Sequence, residues 1–194
     1  MGTSPYTVNA ATFLISTLFG VYIIIVMLRF LLAWVRADFY NPMSQFLVKA
    51  TNPVLRPLRR FIPGYGGVDL ASVVLMLVLQ MVELVLILGV LGRAGGFVGL
   101  LVWAVAELLQ TLVRVFTFSI LIEVVLSWVS PGGRHPVTML LYRLNAPLLG
   151  PARRMLPPMG GIDFSPVLVL VLLQLTSMLL VAPIADLGRG LALG

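Results

Sequence analysis

The sequence predicts an all-α integral membrane protein: four transmembrane helices in two parallel repeats, each a span, an amphipathic segment and a second span. Three observations carry this reading. Hydrophobic residues make up 60% of the 194 positions and charged residues only 10%, against about 25% charged in a soluble domain. A chain with mean hydropathy +1.07 cannot cover itself in water, so the bilayer is its solvent. Four stretches are apolar over about 20 residues or more, enough to cross roughly 30 Å of hydrocarbon. The third observation is that the stretch from Trp34 to Gln80 occurs twice.

A shift of 94 positions, without a gap, lays Trp34-Val35 on Trp128-Val129, Pro42 on Pro136, Pro53 on Pro147 and Pro57 on Pro151. It also lays Arg59-Arg60 on Arg153-Arg154, Pro63 on Pro157, Gly66-Gly67 on Gly160-Gly161, Asp69 on Asp163 and Gln80 on Gln174. About a third of the aligned positions are identical, and they concentrate in residues that fix backbone shape and charge, which marks an internal repeat. The first repeat covers residues 1–94 and the second 95–194.

The elements follow in order. The apolar run at about 11–35 is the first span, with Arg29 its only internal charge and Trp34 marking an interface. It lacks a basic leader and a small-residue cleavage site, so it reads as a retained span rather than a signal peptide. Residues 41–63 are too polar and too rich in proline to cross. Asn41-Pro42 and Asn52-Pro53 each read as an N-cap followed by a first helical residue. This predicts two short interfacial helices, with Met43, Phe46, Leu47 and Ala50 opposite Ser44, Gln45 and Lys49. Gly64 to Gly67 turns the chain, and Asp69 caps the second span, at about 69–92. Gly92 to Gly96 is a turn that also carries small-residue spacing. The third span, about 97–129, is apolar but some 50 Å long as one helix, so it tilts, kinks or projects. The interfacial segment returns at 135–157, and the fourth span lies at about 163–185 before a short tail.

Net charge is +6. Lys49, Arg56, Arg59 and Arg60 fall in the first interfacial segment, and Arg134, Arg143, Arg153 and Arg154 in the second. The turn between the middle spans has only Arg93. Both basic segments are therefore expected in the cytoplasm, with both termini outside. Two spans per repeat orient both copies alike, related by a pseudo-two-fold axis along the membrane normal.

Several of these residues resemble a known family. Asp38-Phe39-Tyr40-Asn41-Pro42, Asn52-Pro53 with Pro57-Leu58-Arg59-Arg60-Phe61-Ile62-Pro63, and Ala146-Pro147 with Arg153-Arg154, Pro157 and Gly160-Gly161-Ile162-Asp163-Phe164-Ser165-Pro166 are similar to the YggT (YlmG-related) family. The likeness covers nearly the whole chain, and its opening motif resembles the proteobacterial branch. The position five before the motif tryptophan is often basic in that family. Arg29 keeps this in the first copy, and Glu123 departs from it in the second. The resemblance implies a small protein of the bacterial inner membrane. It also implies links to osmotic tolerance and cation uptake, to division and nucleoid organisation, or to assembly of a photosynthetic complex, without an established enzymatic activity.

Each polar constellation admits two readings. Arg59, Arg60, Arg153 and Arg154 grip anionic lipid or dock a protein partner, or they only enforce orientation and snorkel. Asp69 and Asp163 are plain caps, or ion-pair with the arginines of the same or the other repeat. Arg29 and Glu123 are repeat equivalents that snorkel, or pair with each other across the axis. Glu83 pairs with Arg114 if depth is counted from the inner ends of the spans, and faces Glu107 if counted from a tight turn. Gln80 and Glu83, with their equivalents Gln174 and Ser177, line a polar seam for ions or water, or bond helix to helix.

The chain has no Cys, which excludes disulfides and thiolate chemistry. The single His135 cannot build a metal site and is assigned no role. No phosphate loop, dinucleotide fingerprint, nucleophile set or metal set is present, so no cofactor, metal, direct nucleic-acid partner or enzymatic activity is expected. The leading functional expectation, which the resemblance to the YggT family implies, is osmotic and ion homeostasis. The rival is a scaffold or assembly factor that recruits lipid or a protein partner. Anionic lipids, a second copy or a membrane-protein partner are the expected associates.

Overall fold

The computed structural model describes residues 5–38, 40–129, 135–156 and 163–194. Four helices among them are long and apolar enough to cross a membrane: Pro5–Trp34, Leu70–Val90, Phe97–Val129 and Ser165–Leu193. The all-helical, four-span reading therefore holds. Arg134, Pro157 and Gly160-Gly161-Ile162 lie outside the described residues.

Helix α1 (Pro5–Trp34) begins on a proline, whose missing N–H has no use in a first turn. It ends in a reversal built on Arg36, at φ 52°. The N–H of Ala37 donates to the carbonyl of Leu32 at 2.8 Å and that of Arg36 to Ala33 at 3.1 Å, the paired bonds of a Schellman ending. Helix α3 (Leu70–Val90) ends the same way, with Gly92 at φ 67° and Arg93 N–H on the Leu88 carbonyl at 2.9 Å.

The interfacial segments correct the expectation of two short helices each. Pro42–Phe61 is one helix, α2, with Pro53 and Pro57 inside it, and Pro136–Met155 is one helix, α5, with Pro147 and Pro151 inside. Asn52 starts nothing. The two prolines of each helix are four residues apart, so the N–H groups they lack fall on a single face. The opposite face keeps its hydrogen-bond ladder and carries the helix through. Asn41 does cap α2, its Oδ1 accepting from Met43 N–H at 3.0 Å.

The inward face of α2 is Ser44, Leu47, Thr51 and Leu55, while Met43 and Phe46 are exposed. Such a helix has apolar partners on two sides, protein and lipid. Its small Thr51 lies where α1 approaches and is bonded to Arg29. These two platform helices close the main core, where Leu47, Leu55, Leu140 and Leu144 join Val26, Leu31, Ala71, Leu75 and Phe116. Gly66 and Gly67, at φ 60° and 82°, make the turn between Tyr65 and Val68, whose backbones bond in both directions.

The fourth span runs past its expected end near 185. Helix α6 (Ser165–Thr176) passes through a π-helical turn, Ser177–Val181, into α7 (Ala182–Leu193). Pro183 has no N–H for the carbonyl one turn back, and the widened turn, with Ala182 N–H on the Ser177 carbonyl, absorbs the mismatch. Helix α4 (Phe97–Val129) is continuous over 33 residues and packs along α7. The two backbones meet at glycines: a Cβ on Gly99 would lie 2.1 Å from Ala192 N, and one on Gly188 2.5 Å from Trp103 N. Gly92 thus serves the turn and Gly99 the helix crossing.

The packing is not a closed pseudo-two-fold. Helix α3 packs on α4, but α6 makes no contact with α1. The six residues from Leu91 to Gly96 force α3 and α4 to be neighbours, and no comparable tether joins α6 to α1.

Candidate functional site

Two kinds of polar site emerge, one at the foot of each repeat and one among the spans. At the foot, Arg59 near the end of α2 meets Asp69 at the start of α3: Nη2 donates to Oδ2 at 2.5 Å and Nε to Oδ1 at 3.3 Å. Ser72 Oγ donates to the same carboxylate at 2.5 Å. In the second repeat Arg153 Nε donates to Asp163 at 3.0 Å, and Asp163 accepts from the N–H of Ser165 at 2.9 Å. The aspartates thus join a basic platform to the span that follows it, within one repeat. Asp163 also bonds the backbone N–H at the start of its helix, whereas Asp69 makes no bond of that kind.

Burial pushes the Asp69 carboxyl up, but the bonds from Arg59 and Ser72 outweigh it and hold it below its ordinary value. Asp163 follows the same balance, lowered by Ser165 and Arg153 against burial. The Arg153 guanidinium is raised, because Asp163 and Glu123 outweigh its burial.

Arg29 and Glu123, both buried, are not brought together. Each meets the platform helix of its own repeat. Arg29 donates to Thr51 Oγ1 and, at 3.4 Å, to the Val48 carbonyl. Glu123 accepts from Asn145 Nδ2 at 2.7 Å and from Arg153 at 3.4 Å. Thr51 and Asn145 are themselves 94 positions apart. The two copies therefore make one positional contact, with a cation and a hydroxyl in the first and a carboxylate and an amide in the second. Ser119 Oγ adds a 2.5 Å bond to Asn145 Oδ1.

Among the spans, Gln80 and Glu83 of α3, Glu107, Thr111 and Arg114 of α4, and Ser16, Thr17 and Gly20 of α1 line a polar cleft of about 380 Å³. Gln80 Nε2 donates to Glu83 at 3.0 Å. Glu83 and Arg114 share the cleft without an ion pair. Glu107 also faces it, held by Trp103 Nε1 at 3.0 Å and by Arg189 of α7 at 3.7 Å. Arg114 is exposed and makes no hydrogen bond or ion pair among the described residues.

The repeat explains the opening. Ser16, Gly20 and Glu83 correspond to Gln110, Arg114 and Ser177. In the second repeat Ser177 donates to Gln110 at 2.7 Å and closes the seam. In the first, the shorter Ser16 and bare Gly20 leave it open. Gln174 is exposed on α6 and joins neither seam.

Arg60 and Arg154 are exposed and in no ion pair among the described residues, unlike their neighbours Arg59 and Arg153. Sequence reasoning missed Arg189, which also bonds Asp186 at 3.1 Å and stacks 5.5 Å from the Trp103 ring, because the tail was not read as helix. It also missed His135, which caps α5 through Nδ1 and Val137 N–H at 3.4 Å. His135 occupies the position equivalent to Asn41, and that equivalence was the available signal. Among the described residues no group of three His, Cys, Asp or Glu is placed to hold a metal.

A protein family described as CCB3/YggT matches residues 8–90 and again 102–184, both ends displaced by the same 94 positions as the sequence repeat. An uncharacterized protein of Pseudomonas aeruginosa is 47% identical over 179 residues, 91% of either chain. The Escherichia coli K12 protein named YggT is 40% identical over 172 residues, 88% of either chain. A Vibrio alginolyticus protein, named only for its place in the proC 3′ region, is 40% identical over 174 residues, 89% of this chain and 94% of its own. No solved structure matches.

Proposed function

The chain belongs to the CCB3/YggT family, and we propose that it is a non-enzymatic, multi-pass protein of the bacterial inner membrane that contributes to osmotic and ion homeostasis through the polar cleft between α1, α3 and α4. The cleft itself carries this reading. A charged group inside a membrane costs roughly 2.5 to 3.5 kcal/mol on insertion scales, and such groups mark ion and proton pathways. Here two carboxylates, an arginine and several hydroxyls surround open volume, where packing alone would close the seam as Gln110 and Ser177 do in the second repeat.

The test is cation uptake after a hyperosmotic shift, measured with rubidium tracer in cells whose own copy is deleted and replaced by variants at matched membrane levels. Glu83→Gln and Arg114→Gln are each expected to lose the contribution of the native chain. Full uptake in both would overturn the reading.

A second reading, a scaffold that recruits lipid or a protein partner through its doubled platform, is favoured by one observation. Each basic pair puts one arginine into a bracket with aspartate and leaves Arg60 or Arg154 exposed, in no ion pair among the described residues. Neutralising all four arginines would break the brackets as well as the surface. The discriminating variant is Arg60→Gln with Arg154→Gln alone. Loss of function there, with Glu83→Gln silent, selects the scaffold.

A further inference from the structure

We propose that the groove between the Trp34 end of α1 and the face of α5 binds the headgroup of one anionic glycerophospholipid. The groove encloses about 570 Å³ and is lined by Trp34, Val35, Tyr142, Arg143, Ala146 and Pro147. It lies where a membrane span ends and an amphipathic helix runs alongside, the level at which Trp and Tyr meet headgroups. In a bilayer its occupant is lipid, and the lining decides which.

Arg143 is exposed and has no ion pair among the described residues, so its guanidinium is free for a phosphate, unlike those of Arg59 and Arg153. Pro147 has no N–H, so the Arg143 carbonyl lacks its helical donor, and Pro151 deprives the Pro147 carbonyl in the same way. The groove thus offers a cation beside carbonyls that lack their regular helical donor. A phosphate flanked by hydroxyl groups answers both. The net charge of +6 favours a headgroup with net negative charge over a zwitterionic one.

The repeat supplies a control. Lys49 and Pro53 are the counterparts of Arg143 and Pro147, with the same chemistry on α2. However, α1 touches α5 while α4 makes no contact with α2, so the equivalent groove is not formed. The site is expected once per chain.

The full chain, purified in detergent and stripped of lipid, is titrated with palmitoyl-oleoyl phosphatidylglycerol or with phosphatidylethanolamine of the same tails. Bound lipid is counted by native mass spectrometry. The first phosphatidylglycerol should bind about five-fold tighter than phosphatidylethanolamine, the equivalent of about 1 kcal/mol for one interfacial cation. Arg143→Gln should erase that preference and Lys49→Gln should keep it. Equal affinity for the two lipids, or equal loss in both variants, overturns the site. A measurement that needs no charge variant uses brominated tails in vesicles. Quenching of Trp34, taken as the difference between the native and Trp34→Phe chains, should set in at a lower mole fraction for the anionic lipid. Identical quenching by both lipids also overturns the proposal.

Discussion

Asp69 and Asp163 each stand at the foot of a span with an arginine ten residues upstream, and each is held below the ordinary carboxylate value against the opposing push of burial. A lowered folded value gives the bracket a definite pH signature. Its stabilisation is complete above the ordinary Asp value of about 3.9 and is lost as pH falls through the lower folded value. Asp69→Asn with Asp163→Asn should lower the thermal midpoint in detergent at pH 7, reflecting a stability loss of about 1 kcal/mol or less per bracket because the arginines are partly exposed. The gap to the native chain should shrink below about pH 4, and a gap that stays constant into acid would rule the brackets out as the cause. The repeat, which sets a basic pair and an aspartate at matching positions in both copies, made these pairs legible as candidates in the sequence. Thr51 and Asn145 were not legible. A Thr beside Asn-Pro looks like a turn, and only the folded platform shows that both positions point at Arg29 and Glu123.

Elements were legible where composition decides and obscure where proline does. The four spans follow from apolar length alone. Asn52-Pro53 imitates a helix start, yet α2 runs through it because its prolines share a face. Pro183 imitates a helix end, yet the chain continues through a π-helical turn and brings Arg189 to Glu107. That continuation depends on the α4–α7 contact at Gly99 and Gly188, where backbone meets backbone. Gly188→Val would place a side chain inside the Trp103 backbone, so the helices must separate. Overpacking of this kind costs about 1 to 3 kcal/mol. We expect a lower thermal midpoint together with red-shifted Trp103 emission, as the ring loses its cover and its bond to Glu107. Gly190→Val, at a position with open space around it, should change neither. A Gly188→Val chain as stable as the Gly190→Val one would rule out a backbone-to-backbone crossing at Gly188.

At the scale of the molecule, the copies share their contacts but not their surroundings. Both make the arginine–aspartate bracket and both join span to platform at the same pair of positions, and the platforms meet where Asn41 Nδ2 donates to the Pro136 carbonyl at 2.8 Å. The seams among the spans differ, because Ser16 and Gly20 of α1 stand where Gln110 and Arg114 stand in the second copy, and there Gln110 bonds Ser177. The functional reading needs both platforms on one side of the bilayer, with the α3–α4 turn on the other. Charge predicts this, since Arg93 is the lone cation of that turn while each platform carries several. The native chain contains no Cys, so single cysteines report without background. Arg60→Cys and Arg154→Cys should both resist a membrane-impermeant maleimide in intact cells and react after permeabilisation. Arg93→Cys should react in intact cells. If Arg60→Cys and Arg154→Cys label from opposite sides, the two brackets cannot share a leaflet. No single surface would then carry both platforms, and both functional readings would fall together.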